Sequence, residues 1–167
     1  MSIKKPVFLV GMPGSGKSTI GQSISSHFKL DFIDMDVLFE IKFGIGIQEY
    51  WDQRSELEFR ILERKLLFEL MFSTPAVIAT GGGLPCWFNN MYWISQFDTL
   101  YLSVKPEELL ENLQNQPRAI FKDGKADLAQ LVDLYYKRNP FYKQAKHHIT
   151  AKDIPTILNF FKLHFLI

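Results

Sequence analysis

Gly11-Met12-Pro13-Gly14-Ser15-Gly16-Lys17-Ser18 links a short apolar run, residues 6–10, to a segment whose apolar residues recur at helical spacing. The eight residues satisfy the pattern G-x-x-x-x-G-K-[ST] at every fixed position. In such a loop, successive backbone N–H groups turn inward around phosphate oxygens, and the helix that follows adds its positive end. The stretch therefore predicts a strand, a phosphate-binding loop and a helix, with a nucleotide as the ligand.

Individual residues of this loop have distinct expected roles. The candidate nucleotide-binding residues are Gly14, Ser15, Gly16, Lys17, Ser18 and Thr19. Lys17 is expected to reach the β- and γ-phosphates, and the Ser18 hydroxyl can ligate Mg²⁺. A glycine-rich turn that binds nothing is the alternative interpretation, but it leaves Lys17 and Ser18 unexplained.

The rest of the chain alternates between short apolar runs and longer segments with helical spacing. Strands are predicted at residues 6–10, 31–34, 76–80, 99–104 and 147–150. Helices are predicted at residues 17–28, 36–43, 48–72 with a break near Gln53, 87–96, 106–113, 128–144 with an interruption near Pro140, and 154–165. Leu57, Ile61 and Leu66 are expected to mark one apolar face. Because parallel strands need crossover connections, this order predicts an α/β fold with a five-stranded parallel sheet flanked by helices.

Polar or glycine-rich residues follow three of the predicted strands. These segments are the glycine loop, the pair Asp34 and Asp36, and Gly81-Gly82-Gly83. Ligands of open parallel sheets bind at the carboxyl ends of the strands, so we expect the three segments at one edge. The usual second metal-binding strand, which ends in aspartate, is missing, and this makes Asp34 the natural partner of Ser18 for Mg²⁺. The alternative is that Asp34 only caps the next helix.

Composition limits the class of protein. The 167 residues are 47% hydrophobic and 22% charged, which is typical of a single globular domain, residues 1–167. A net charge of +1 without runs of like charge gives no basis for binding nucleic acid or an anionic membrane. The four histidines show no metal-ligand spacing with one another or with the lone cysteine, Cys86. A single cysteine and no long apolar run lead us to expect a cytoplasmic protein.

Taken together, the motifs resemble those of the shikimate kinase family. The resemblance runs over nearly the whole chain and rests on a set of segments in one order: the phosphate loop, Asp34-Met35-Asp36, Phe59-Arg60 with Glu63, Gly81-Gly82-Gly83, Arg118, and Lys137-Arg138-Asn139-Pro140-Phe141-Tyr142. A D-x-D pair or a triple glycine is weakly specific by itself. The complete set in this order is strongly specific.

The resemblance implies a three-layer P-loop kinase fold and transfer of the ATP γ-phosphoryl group to the 3-hydroxyl of shikimate. It implies a substrate-binding helical segment at about residues 34–63 and a mobile lid at about residues 114–127. The implied shikimate-binding residues are Asp36, Arg60, Gly81, Gly82, Gly83 and Arg138. The implied catalytic residues are Lys17, Asp36 and Arg118, with Arg118 also reaching over the nucleotide. Ser18 and Asp34 would hold Mg²⁺, and we expect a monomer.

Simpler interpretations of the acceptor residues stay open at this point. Arg60 has Glu56 and Glu63 at helical spacing and could be a surface residue in ordinary ion pairs. Glu63 is expected to orient Arg60 rather than touch substrate. Arg138 could be a solvated cation at a helix end, and Asp36 could be an N-cap. Gly81-Gly82-Gly83 could be a mere turn after a buried strand.

Two departures from the family pattern are visible. The lid of the family usually begins with arginine, proline and two leucines, whereas residues 118–121 read Arg-Ala-Ile-Phe. The arginine that many members carry near the adenine has no counterpart in residues 110–113, Leu-Glu-Asn-Leu. Two rival functions therefore stay in view: a kinase for gluconate or another small hydroxy acid, and a nucleotide-binding regulator without turnover.

Overall fold

The computed structural model describes residues 2–113, 120–121, 126–150 and 153–167. The strands are β1 (Val7–Val10), β2 (Phe32–Asp34), β3 (Val77–Ala79), β4 (Asp98–Leu102) and β5 (His147–Ile149). The helices are α1 (Lys17–Phe28), α2 (Met35–Phe43), α3 (Ile47–Gln53), α4 (Glu56–Met71), α5 (Asn90–Ile94), α6 (Pro106–Leu113), α7 (Leu128–Tyr142) and α8 (Ile154–Phe165). A short 3₁₀ helix, Leu84–Cys86, precedes α5.

The five strands form one parallel sheet in the order β2-β3-β1-β4-β5. In the centre, Val7 pairs with Val77 on one side and with Asp98 on the other. The chain leaves β1 toward one edge of the sheet and later returns to the other side of β1. The predicted α/β fold with five parallel strands is confirmed.

Alternate side chains of the strands fill two cores, one on each face of the sheet. Phe8 and Ile78 point into the larger core, which also contains Phe39 of α2 and Leu67 of α4. The neighbouring strand positions, including Leu9, Val77 and Leu100, face the second core together with Ile24, Ile157 and Phe161 of α1 and α8. Strands buried on both faces explain their almost continuous apolar composition, and the sheet with two helical layers has three layers.

Polar side chains fix where several helices begin. The carboxylate of Asp34 accepts hydrogen bonds from the backbone N–H groups of Asp36 and Val37, and Ser55 accepts one from Glu58. Asp127 and Asp153 cap α7 and α8 in the same way. Such caps satisfy N–H groups that have no partner inside the helix. Across the described residues, no helix is both long enough and apolar enough to cross a membrane.

Three details of the predicted helices are wrong. Leu57 and Ile61 of α4 are 51% and 52% exposed, because the helix instead buries Phe59, Arg60 and Glu63. Helix α7 continues through Pro140 without interruption. The segment predicted as a helix at 87–96 has helical structure only at Asn90–Ile94, after a turn in which Phe88 and Asn89 have positive φ angles.

Gly21 of α1 packs directly against the ring of Phe32 in β2. A Cβ at this position would lie 3.0 Å from Cδ2 of Phe32 and still closer to Cε2 of the same ring. Gly21→Ala should therefore lower the free energy of unfolding by about 1–3 kcal/mol, although alanine is the better helix former. Urea unfolding measures this loss. Ser26→Ala, at an exposed position of the same helix, is the matched control and should be neutral or slightly stabilising; a Gly21→Ala protein as stable as this control would contradict the packing.

Candidate active site

A cavity of about 1100 Å³ lies at the carboxyl edge of the sheet. Five segments contribute candidate residues to its lining: the phosphate loop, the start of α2, α4, the glycine turn (residues 81–83, after β3) and α7. These residues are Gly14, Ser15, Gly16, Lys17, Ser18, Thr19, Asp34, Asp36, Arg60, Gly81, Gly82, Gly83 and Arg138. Arg118 and most of the predicted lid lie outside the described residues. Within the described part of that segment, Ile120 lines the cavity.

The phosphate loop closes around the side chain of its own lysine. Gly14 and Gly16 have φ angles of 79° and 84°, a conformation that favours glycine. Lys17 Nζ donates hydrogen bonds to the carbonyl oxygens of Gly11 at 3.0 Å and Met12 at 2.8 Å. The ammonium group is therefore already inside the turn, where an incoming phosphate would meet it.

Ser18 and Asp34 come together beside the loop. The Ser18 hydroxyl donates a hydrogen bond to Oδ2 of Asp34 at 2.5 Å, while Oδ1 of Asp34 accepts from the N–H of Asp36. Asp34 thus caps α2 and also faces Ser18, so the two interpretations from the sequence are compatible. A hydroxyl and a carboxylate oxygen are the hard donors that Mg²⁺ prefers, and this pair fits that ion.

Arg60 is buried, with 4% of its surface exposed. Its Nη1 donates to Oε2 of Glu63 at 2.8 Å, and its Nε and Nη2 donate to Oε1 of Glu56 at 3.2 and 3.0 Å. Three aromatic rings lie 5.0–5.9 Å from the guanidinium carbon, those of Trp51, Phe59 and Trp87. Burial opposes the charged form, but attraction to the two carboxylates outweighs it and raises the pKa of Arg60. The expected ion pairs are present, yet the surface interpretation is wrong because Arg60 is buried.

Glu63 is the most deeply buried carboxyl group of the site. Burial raises its pKa to about 7, even though the neighbouring Arg60 lowers it. Its Oε1 atom is buried and has no hydrogen-bond partner among the described residues. Glu63 therefore accepts a hydrogen bond from Arg60 through Oε2, while its Oε1 is able to interact with another group.

The glycine turn after β3 leaves room for a different neighbour at each residue. A Cβ on Gly81 would collide with Oε1 of Glu63 and would lie 2.9 Å from Oδ1 of Asp36. At Gly83 it would lie 2.6 Å from Cζ of Arg60, and at Gly82 2.8 Å from Cδ of Pro13 in the phosphate loop. The missing side chains thus let the turn lie directly against both the phosphate loop and the buried charges.

Helix α7 contributes Arg138 and, one turn later, Tyr142. Both side chains are buried, and Arg138 also interacts with Glu63 and Tyr142. The Tyr142 hydroxyl donates to the carbonyl oxygen of Gly82 at 2.5 Å. Arg138 is therefore a site residue fixed by its own helix rather than a solvated cation at a helix end.

Sequence interpretation assigned no role to several residues that the fold brings to the cavity. Trp51 and Phe59 line the wall around Arg60, and their aromatic character was not distinguishable from core composition in the sequence. Asn112 of α6 donates from Nδ2 to the carbonyl oxygen of Gly14 at 2.9 Å. Glu108 and Glu111 line the same end of the cavity, so the described residues there are acidic or neutral where many family members have arginine.

No functional role was predicted for the histidines or for Cys86, and their surroundings agree with that prediction. His147 and His164 are neighbours near the end of the chain, with ring centroids 4.8 Å apart. The described ranges contain no group of three or more His, Cys, Asp or Glu side chains that could hold a metal ion. Burial raises the pKa of Cys86 to about 11, which keeps its thiol protonated and unreactive at neutral pH.

Several known proteins are similar to this chain in sequence and structure. The model of the shikimate kinase family matches residues 13–162. The shikimate kinase of Phocaeicola vulgatus is 36% identical over 153 residues, which cover 89% of this chain and 87% of that protein. The structure of Acinetobacter baumannii shikimate kinase in complex with shikimate superposes with a TM-score of 0.85 at 27% identity, covering 96% of this chain and 92% of that chain.

A likeness to a gluconokinase is weaker. The enzyme from Sinorhizobium meliloti has a TM-score of 0.55 at 12% identity, covering 95% of this chain and 90% of that chain, and this shows a shared fold alone. The family match, by contrast, contains the segments from Asp34 to Tyr142 on which the resemblance was based. That resemblance is confirmed, and the chain belongs to the shikimate kinase family.

Proposed function

We propose that this protein catalyses the transfer of the γ-phosphoryl group of ATP to the 3-hydroxyl of shikimate, giving ADP and shikimate 3-phosphate, in the synthesis of chorismate and the aromatic amino acids. The observation that carries the proposal is one cavity that joins a phosphate loop to two buried guanidinium groups, in a chain of the shikimate kinase family. The phosphate loop suits the nucleotide. The two guanidinium groups suit a small acid with a carboxylate.

The nucleotide side of the cavity would bind ATP through the backbone of residues 14–19 and through Lys17. Ser18 and Asp34 would hold Mg²⁺, which supplies charge that offsets the β- and γ-phosphate oxygens when it is bound. Arg118, from the segment outside the described residues, is proposed to approach the transferred group when the lid closes. Phosphoryl transfer depends mainly on positioning and charge stabilisation, and Lys17 and Arg118 would supply positive charge at the equatorial oxygens.

The acceptor side would bind shikimate by its two kinds of polar group. Arg60 and Arg138 would bind the carboxylate, because a planar guanidinium can donate two parallel hydrogen bonds to it. Asp36, at the start of α2, would accept a hydrogen bond from the reacting hydroxyl and orient it toward the phosphate loop. Backbone N–H groups of Gly81, Gly82 and Gly83 can approach the ring closely, since no Cβ stands between them and the ligand.

Asp36 would also be the first acceptor for the hydroxyl proton. In a loose transition state the hydroxyl loses its proton late, so orientation by Asp36 contributes more than its basicity. The closed site would exclude water and so limit ATP hydrolysis. A cytoplasmic location and a monomeric state remain predictions from the sequence.

A test of the function measures ADP release with a panel of acceptors. Shikimate, quinate, gluconate and nucleoside monophosphates separate the proposed activity from the two rivals. Turnover with shikimate above all others supports the proposal, and turnover with gluconate instead would favour the polyol-acid kinase. ATP binding without ADP release for any acceptor would favour the regulator.

Replacing Lys17 tests the phosphate site. Lys17→Met keeps the apolar part of the side chain but removes the charge that faces the transferring group, so kcat should fall by roughly 10²–10³-fold. The measurement is ADP release at saturating ATP and shikimate, with urea unfolding to confirm that the variant is folded. Lys162→Met makes the same change at an exposed position of α8 and should leave kcat unchanged. Equal rates in the two variants would overturn the role of Lys17.

Arg138 offers a cleaner test of the acceptor site than Arg60, whose loss would also leave Glu63 buried without its ion-pair partner. Arg138→Ala should weaken shikimate binding by about 2–5 kcal/mol and spare ATP binding. Arg138→Lys should restore only part of the loss, because an ammonium group cannot reproduce the planar fork. Calorimetric titration with each ligand measures both effects. Lys137→Ala, at the exposed neighbouring position, is the control; a parallel loss of ATP and shikimate affinity in Arg138→Ala would place the acceptor elsewhere.

A further inference from the structure

Two carboxyl groups from different helices converge beneath Gly81. Oε1 of Glu63 and Oδ1 of Asp36 are the two atoms nearest to the point where a Cβ of residue 81 would lie, and both are less than 3 Å from it. Asp36 comes from the first turn of α2, and Glu63 comes from the second turn of α4. The two carboxyl oxygens therefore border the same small space under Gly81, next to the position proposed for the reacting hydroxyl.

Glu63 differs from the other carboxyl group that pairs with Arg60. Glu56 is partly exposed, with 35% of its side chain accessible, and water can screen its charge. Glu63 is 4% exposed in its side chain, and its Oε1 has no hydrogen-bond partner among the described residues. A buried carboxylate oxygen without a donor is costly, whereas a carboxylic acid at the same place can donate its own proton.

The titratable groups that face Glu63 come from four elements of the fold. Arg60 lies on its own helix, Asp36 on α2 and Arg138 on α7, while Cys86 of the 3₁₀ helix is a neutral thiol. With Glu56 included, three carboxyl groups surround two guanidinium groups. An acceptor carboxylate that docks on Arg60 and Arg138 would add a fourth negative charge in a site shielded from water. The pKa of Glu63, which burial already raises to about 7, would rise further.

We propose that Glu63 is a proton-binding residue of the acceptor site: when the anionic acceptor docks on Arg60 and Arg138, Oε1 of Glu63 takes up a proton from solvent and donates it in a hydrogen bond to Oδ1 of Asp36. The proton returns to solvent when the acceptor or its product leaves, so no other reactant is needed. The Oε2 atom keeps its hydrogen bond from Arg60 throughout. This inference rests on the proposed function, because it needs a carboxylate-bearing acceptor at this site.

Proton uptake makes shikimate binding depend on pH with a definite sign. Above the pKa of free Glu63 the complex must bind a proton that the free protein lacks, so affinity falls as pH rises. The limiting slope is roughly tenfold per pH unit. A residue that only positioned Arg60 through its negative charge would predict no uptake of a proton.

The test is calorimetric binding of shikimate at about pH 7.5, in PIPES and in Tris, whose ionisation enthalpies differ. Wild type should show a buffer-dependent enthalpy that corresponds to uptake of a substantial fraction of a proton. Glu63→Gln, which is close in size but cannot titrate, should show the same enthalpy in both buffers. Glu56→Gln is the matched control: it removes charge from the other partner of Arg60 but leaves Glu63 able to titrate, so it should keep the proton uptake.

Each outcome decides one question. Equal enthalpies in the two buffers for wild type would overturn the inference while leaving the proposed function intact, and so would uptake that persists unchanged in Glu63→Gln. Loss of uptake in both variants would make it depend on the combined negative charge around Arg60 rather than on Glu63 itself, and would also overturn the inference. No binding of shikimate to wild type would overturn the proposed function itself. The wild-type titrations can overturn the inference by themselves, so the test remains decisive in that direction even if a variant does not fold.

Discussion

The buried ion pair between Arg60 and Glu63 constrains the part of the cavity that lies around it, above all the glycine turn at residues 81–83. Removing two charges from water costs several kcal/mol for each ion, and the pair is tolerated only where hydrogen bonds and close approach compensate. Arg60 uses three hydrogen bonds to Glu56 and Glu63 for this purpose. The turn above must then carry no side chains, because a Cβ on Gly81 or Gly83 would occupy the space of one partner. Glycine at these positions is a consequence of the ion pair beneath them.

The same turn connects the two halves of the cavity. Gly82 lies against Pro13 of the phosphate loop, and its carbonyl oxygen accepts a hydrogen bond from the Tyr142 hydroxyl. The same hydroxyl lies 3.9 Å from the sulfur of Met12. The phosphate loop and the glycine turn are thus in direct contact, and one buried side chain of α7 contacts both. Phosphoryl transfer depends on placing two reactants in line. A rigid link between the segments that hold them serves this requirement before either ligand arrives.

The sequence predicted correctly those elements whose local residue pattern does not conflict with the needs of the site. The bounds of α1, α6 and α8 were predicted to the residue, because caps, Pro106 and regular apolar spacing mark them. The orientation of α4 was wrong for a physical reason. Its buried face carries Arg60 and Glu63, which an apolar-periodicity argument assigns to solvent, and the apolar Leu57 and Ile61 are exposed instead. Likewise, nothing local in the sequence could show that Trp51 or Asn112 reaches the cavity, since tertiary packing places them there.

Lys17 holds the phosphate loop closed around its own ammonium group. Its ammonium group donates hydrogen bonds to the carbonyl oxygens of Gly11 and Met12, with Ser15 Oγ at 3.4 Å. These contacts close the loop around a positive charge. An arriving phosphate therefore does not have to order the loop; it provides oxygens that compete with the carbonyl groups for the same ammonium. Phosphate oxygens carry more negative charge than carbonyl oxygens, so the exchange favours the nucleotide. The attraction of the ammonium group for these oxygens is strongest where negative charge accumulates during transfer.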